Sequence, residues 1–418
     1  MTQSIFITAS NPFGFPVGST QSVSDAVALQ AIGGDLSPQG AWGKLASVIP
    51  ANPQTPVQRA AGASDLDWGR KRKPTPTGVL LVPGDSIGAG YGLTTPSASR
   101  FGAVVAAAKG WAETNVAISG SVIGRWVNDA IGSRVINAGD SSLLIAGFND
   151  ARFGGATANN LSQYVSNLIG TICYLALPDS AKVYSQSNNA TLNPALTFSG
   201  TWPTSSTWQA LQAQSRCGAY SATASSYVEG VVTGDTVHVM LGGYIAFAAS
   251  CSVSIDGVSL GAGAFSVQPL LDVPDGLGGT VWQPYCIRIP GLANGKHTVR
   301  VTIVASANLL VAYMAGYDST SSALCPVYVA GNPRMTAAGY AVAPANANDT
   351  IMRQYQNETR RVCETLAAEG LLVRYLDFDA KWLPSAGVVQ ADSVHPYEMI
   401  HKLWGQAASY EMNRPSLT

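Results

Sequence analysis

From Gly78 onward, short apolar runs alternate with longer mixed stretches. VLLV (79–82), NVAIS (115–119), SLLIAG (142–147), PVYVAG (326–331) and LLVRYLDF (371–378) are largely continuous in apolar residues. That is the pattern of strands buried on both faces. The stretches 98–110, 122–132, 158–177, 348–369 and 396–410 read as helices. In the fourth of them Ile351, Tyr355, Val362 and Leu366 share one face. Strand and helix in alternation predict an α/β domain with a parallel sheet.

A different period interrupts this order. TVHVML (236–241), CSVSIDG (251–257) and HTVRVTIV (297–304) alternate apolar with polar, as half-buried strands do. Asp256-Gly257 and Asn294-Gly295 are hairpin-type turn pairs. The segment 185–317 therefore reads as an antiparallel β-sandwich inserted into a loop of the α/β domain, which itself takes residues 78–184 and 318–418. Residues 1–77 differ again. They hold NPFGFP, GGDLSPQG and IPANPQTP, punctuation at a density that breaks regular elements, and then the basic run Arg70–Lys73. We read an arm or linker there, with one helical stretch at 22–32 and a solvated basic run.

Composition narrows the setting. Apolar residues make up 46% of the 418 positions and charged ones 12%, where about 25% is usual. A net charge of −1 provides no field to recruit nucleic acid or anionic lipid. No run reaches the ~20 apolar residues of a membrane helix, and the N-terminus lacks the pattern of a secretory signal. The six cysteines and four histidines are scattered, so no metal or cofactor is expected. Buried thiols are the reading for most cysteines, and Cys251 and Cys286, in one segment, are able to pair.

The candidate chemistry sits at strand ends, where open parallel sheets collect active groups. VLLV stops at Pro83-Gly84, and GDSI places Ser86 at the reversal into the next helix. A serine hydroxyl is a poor nucleophile until a base takes its proton. The base is sought in DSVHP, where Asp392 and His395 stand three apart just before Pro396, a residue suited to the first turn of a helix. His238 and His297 belong to the inserted sheet, and His401 lies inside the last helix as a surface or packing residue. Donors for an oxyanion come from Gly120 in ISG and Asn149 in GFND. Each such donor is worth ~3–4 kcal/mol of transition-state stabilisation. Gly139 is a rival to Gly120, but it precedes the third strand. Asp85 and Asp150 read as structural acids that hydrogen-bond backbone or cap a helix.

GDSI, ISG, GFND and DSVHP in this order resemble the motif blocks of the SGNH hydrolases, also called GDSL-type esterases. The resemblance covers about 78–184 and 318–412, with Ile87 where leucine is usual and Phe148 inside GFND. It implies a flavodoxin-like three-layer sandwich with a five-stranded parallel sheet. It implies Ser86 as nucleophile, His395 as general base and then acid, and Asp392 as its orienter. The Ser86 N–H, the Gly120 N–H and the Asn149 amide would form the oxyanion hole, with no cofactor. IPGLANGKHTVRVTI similarly resembles the late hairpin of jelly-roll carbohydrate-binding modules, in which Trp202, Trp208 and Trp282 would be sugar-stacking or core residues.

These readings imply a serine esterase that removes O-acetyl groups from a capsule, O-antigen or similar polysaccharide. The alternatives are a non-catalytic glycan-binding adhesion protein and a short-chain lipid esterase. The low charge and irregular N-terminus resemble spikes or fibres of phage-like particles. An extracellular or virion-associated place, an arm docked on a particle or partner protein and a homo-oligomer are expected on that basis, without nucleic acid or membrane insertion.

Overall fold

The computed structural model describes residues 2–7, 20–24, 46–49 and 76–413, apart from 132–133, 189–190, 203–218, 244–248, 262–264, 268–282, 306–308, 321–322, 332, 335, 342–345, 379–388 and 393. Two compact units are present, Met1–Ala63 and Ser64–Thr418. In the first, Thr2–Ile7 lies between Thr20–Ser24 and Ala46–Ile49 in a three-stranded antiparallel sheet. The helix expected at 22–32 is thus replaced at its start by a strand. Its remainder, and the basic run Arg70–Lys73, lie outside the described residues.

In the second unit β1 (Val79–Val82), β2 (Ala112–Asn115), β3 (Ser141–Ala146), β4 (Val327–Gly331) and β5 (Val373–Leu376) form one parallel sheet in the order β5-β4-β3-β1-β2. The central β3 and β4 are buried at every position, which is why their sequences are largely apolar, with Ser141 and Ser142 opening β3 as buried polar exceptions. The edge strand is displaced from the expected NVAIS. Regular pairing ends at Asn115, and Val116 and Ile118 continue as irregular backbone donating to Val82 and Gly84 carbonyls.

Right-handed crossovers divide the helices between the faces of such a sheet. Helix α2 (Phe101–Lys109), between β1 and β2, packs with the C-terminal α6 (Glu398–Asn413). On the other side α4 (Ala158–Ala176) packs with α5 (Asp349–Ala368). Thr157 and Asn348 cap α4 and α5 by accepting from Asn160 and Ile351 N–H. Each cap of this kind contributes about 1 kcal/mol.

The antiparallel region runs from Lys182 to Tyr317 as two large sheets and a two-stranded ladder, Gln186–Asn188 with Thr191–Leu192. Asp256 and Gly257, at φ of 52° and 81°, make a tight turn joining Ile255 to Val258. Asn294-Gly295 is not a hairpin turn. Gln283–Ile289 and Gly295–Ala305, which it separates, belong to different sheets, so it carries the chain from one layer to the other.

One sheet of this region serves two cores. Val237, Val239 and Leu241 of Thr236–Gly243 face the interior of the sandwich, whereas Met240 joins the α/β core. Strand Leu309–Tyr317 is buried at all nine positions for the same reason. Gly170 permits this contact: a Cβ there would lie 2.7 Å from Pro284 Cβ, so α4 approaches the sheet more closely than any larger residue allows. Arg288 and Glu369, the residue capping the C-terminus of α5, add a two-pronged ion pair between the sandwich and the α/β domain, at 2.6 and 3.1 Å. Cys251 and Cys286 are both free thiols. They point into the two different cores, which removes the possibility of a bond between them.

Candidate active site

Three strand ends and one loop meet at the carboxyl edge of the parallel sheet. After β1, Asp85 caps the short helix α1 (Ser86–Ala89) by accepting the Ile87 N–H at 2.8 Å. Ser86 follows it as the first helical residue and is buried. Burial pushes the Asp85 carboxyl up to about 6, against the amides of Ile87, Gly88 and its own residue.

The base arrives from the loop between β5 and α6. His395 Nε2 lies 2.7 Å from Ser86 Oγ, and His395 Nδ1 lies 2.6 Å from Asp392 Oδ2. The other oxygen of Asp392 accepts the backbone N–H groups of Val394 and His395, both at 3.0 Å. Partial burial raises the Asp392 pKa. The hydrogen bonds from the His395 ring and from the His395 and Val394 amides more than offset that, so the carboxyl titrates below its ordinary 3.8. A neutral imidazole that donates from Nδ1 and accepts at Nε2 satisfies all three side chains at once.

The residues expected as oxyanion donors lie beyond the ends of neighbouring strands. Gly120 lies just beyond β2, and Asn149 lies in the first turn of α3 (Phe148–Gly154), just beyond β3. The Asn149 amide nitrogen donates 2.9 Å to the carbonyl of Ser121, the residue after Gly120. One amide hydrogen is thereby anchored and the second remains to be aimed. Gly139 is set apart from this group. It precedes β3 and its carbonyl accepts from Thr77, at the amino edge of the sheet. Asp150 caps a helix, but not its own: its carboxylate accepts the N–H of Ile123, the first residue of the short helix Ile123–Arg125. Burial, with the nearby Asp85 charge, pushes it up to about 7 despite the amides of Ile123 and its own residue. Ile87 and Phe148, the two departures from the usual motif letters, are both core residues.

Sequence reasoning missed the parts that hold the base in place. Val389 and Pro396 form a bridge, and the Gln390 N–H donates 2.7 Å to the His395 carbonyl. The Gln390 side-chain amide donates to the carbonyls of Pro396 and Tyr91, at 2.9 and 3.0 Å. One glutamine thus ties the histidine loop to the chain just after the nucleophile. Gly92, at φ of 76°, makes room for it, since a Cβ would collide with the Gln390 amide. The Tyr91 ring lies 4.5 Å from the His395 ring and is 55% exposed. A tyrosine in a glycine-rich turn was a legible hint, whereas Gln390 carried no local signal. Arg152, one helical turn beyond Asn149, has its pKa lowered by burial, and the Asp392 carboxylate acts against that shift.

Of the tryptophans, Trp202 is buried, donates to the Ser199 carbonyl and packs edge-on against Phe198. Its indole is a core residue of the sandwich rather than an open stacking face. Trp208 and Trp282 lie outside the described residues. His401 is a packing residue, fully buried beside Phe101 and Trp404, and burial depresses its pKa to about 4.

No family model matches the chain, and no curated protein matches it. Solved structures do. A two-domain esterase active on acetylated mannans, co-crystallized with mannopentaose, is 11% identical over 62% of this chain and 94% of its own, with a TM-score of 0.29. The catalytic domain of a GH87 alpha-1,3-glucanase in complex with nigerose is 11% identical over 37% of this chain and 36% of that one, at 0.24. The carbohydrate-binding module CBM36, in complex with calcium and xylotriose, is 14% identical over 32% of this chain and 96% of its own, at 0.20. Likenesses this slight do not bear on what the present chain binds or does.

Proposed function

We propose that the chain is a serine esterase of the SGNH type that removes O-acetyl groups from a carbohydrate. The observation that supports it is the unbroken relay Asp392–His395–Ser86, both links under 3 Å. Ser86 Oγ attacks the acyl carbon while its proton passes to His395 Nε2. The oxyanion is held by the N–H groups of Ser86 and Gly120 and the Asn149 amide. As the intermediate collapses, His395 returns the proton to the departing sugar oxygen and leaves an acetyl-enzyme. Water then attacks with His395 again as base, acetate departs, and Ser86 recovers its hydrogen. Asp392 fixes the tautomer and balances the imidazolium in both halves.

A sugar substrate is favoured by the half-exposed Tyr91 ring beside the imidazole, because flat aromatic faces pack on the apolar faces of pyranose rings. The test is acetate release from acetylated capsules and O-antigens by wild type and by Ser86→Ala. A deacetylase loses rate steeply from two-carbon to eight-carbon p-nitrophenyl esters. A rate that climbs with chain length instead identifies a lipid esterase, and equal release by both proteins leaves a glycan-binding scaffold. For the setting, we propose that residues 1–77 attach the enzyme to an extracellular or virion-borne particle. The separate compact unit Met1–Ala63 supports this. Trimming the arm is expected to keep ester hydrolysis and abolish particle incorporation; incorporation of the trimmed chain overturns it.

A further inference from the structure

Cys173 of α4, His238 of Thr236–Gly243 and Cys286 of Gln283–Ile289 stand far apart in the chain, yet their ligand atoms all lie within 4.8 Å of one another. All three are buried where the sandwich meets the α/β core. Cys173 follows Gly170 by three residues on α4, so the close approach that Gly170 permits also carries this thiol to the sheet. His238 Nε2 faces the Tyr317 hydroxyl at 3.3 Å, while its Nδ1 is buried without a hydrogen-bond partner among the described residues. That is the arrangement of a metal-ligating histidine, one nitrogen fixed by an outer partner and the other free to bind. A second buried polar atom without such a partner, the Tyr313 hydroxyl, belongs to the same core as Cys173 and Cys286.

We propose that Cys173, His238 and Cys286 bind one zinc ion that staples the inserted sandwich to the α/β domain. Zinc–sulfur bonds of ~2.3 Å and zinc–nitrogen bonds of ~2.0 Å place ligand atoms roughly 3.5–3.8 Å apart in a tetrahedral site, a contraction of about 1 Å from the widest spacing here. Charge favours a divalent ion. Binding releases two thiol protons to solvent, and two thiolates with one neutral imidazole and Zn²⁺ sum to zero, which suits a buried position. Three such scattered residues have no spacing to reveal them, because one comes from a helix and two from strands of another layer.

The experiment uses the full chain without a histidine tag, expressed with zinc, purified under reducing conditions and dialysed against a mild chelator. Elemental analysis is expected to find about one zinc per chain, released when a mercurial modifies the thiols. Cobalt supplied during refolding should give thiolate charge-transfer absorption. Cys173→Ser and Cys286→Ser should each lower retained zinc by about tenfold or more, whereas Cys251→Ser, at a buried thiol outside the cluster, should keep it. Folded wild type that carries no zinc overturns the proposal, and so does a Cys173–Cys286 disulfide found by mass mapping. If the serine variants fail to fold, the wild-type zinc content and cobalt spectrum decide. Metal is counted without any ester, so this result stands apart from the test of esterase activity.

Discussion

Two histidines in this molecule lean on an aspartate, His395 on Asp392 at 2.6 Å and His297 on Asp256 at 2.8 Å. They differ at the other ring nitrogen. His395 Nε2 meets a serine hydroxyl, which can give a hydrogen. His297 Nε2 meets the Ala293 carbonyl at 2.8 Å, which can only accept one. Oxygen acceptors on both sides favour the doubly protonated, cationic ring. Its hydrogen bond to Asp256 raises its pKa above 6.5, against burial and with help from the Ala293 carbonyl. His297 therefore fastens the Asp256-Gly257 turn, and Asp256 also accepts the Thr298 N–H. An aspartate–histidine pair becomes a catalytic base only where the far nitrogen is left with a proton to take.

The sharpest way to break this comparison is to remove the hydroxyl or the ring. Ser86→Ala or His395→Ala should lower kcat/KM on p-nitrophenyl acetate by about 10⁴-fold or more, while His297→Gln stays close to wild type. A comparable loss in the His297 variant would erase the distinction. Asp392→Asn leaves the loop but favours the wrong tautomer, and kcat should drop roughly 10³–10⁴-fold at neutral pH. Asp256→Asn in the same assay should change kcat little. Asn149→Ala tests the oxyanion donor, with about 10²–10³-fold expected in kcat and little in KM.

Gln390→Ala loosens the tie between the histidine loop and Tyr91 and should cost about tenfold in kcat. As a positioning effect it should also alter the pH profile of kcat, which a mere loss of stability leaves in place. The smallest effect concerns the structural pair. Because the folded pKa of His297 is raised above 6.5, its contribution is fully present below that pH and is lost as pH rises through the raised value. The acid limit is set by Asp256, lowered beneath 3.8 by the His297 and Thr298 hydrogen bonds. The Tm gap between wild type and Asp256→Asn should be widest near pH 5 and shrink toward pH 9. A gap that widens with pH contradicts the cationic assignment.

Much of the α/β architecture was legible because buried strands must be largely apolar. VLLV, SLLIAG and PVYVAG could not sit at an edge, and each falls within a residue or so of its observed strand. The edge strand was displaced because a half-exposed strand has no such constraint, and its pairing ends where the chain bends toward Gly120. Asn294-Gly295 failed as a hairpin because a dipeptide reports local backbone preference and not which sheet each neighbour joins. Ser86, Asp392 and His395 were readable from motif letters, whereas Gln390 and Tyr91 act through contacts roughly 300 residues apart in sequence.

What this sequence determined by itself was the alternation of buried strands with helices, the interruption by a half-buried antiparallel segment, and short polar motifs at strand ends. These follow from local periodicity and backbone preference, which act within a few residues. The tertiary structure alone decided which aspartate–histidine pair faces a hydroxyl, which glutamine clamps it, and that Cys173, His238 and Cys286 share one buried place. Those outcomes depend on how separate layers pack, and close packing joins residues whose separation along the chain leaves no trace in any local pattern.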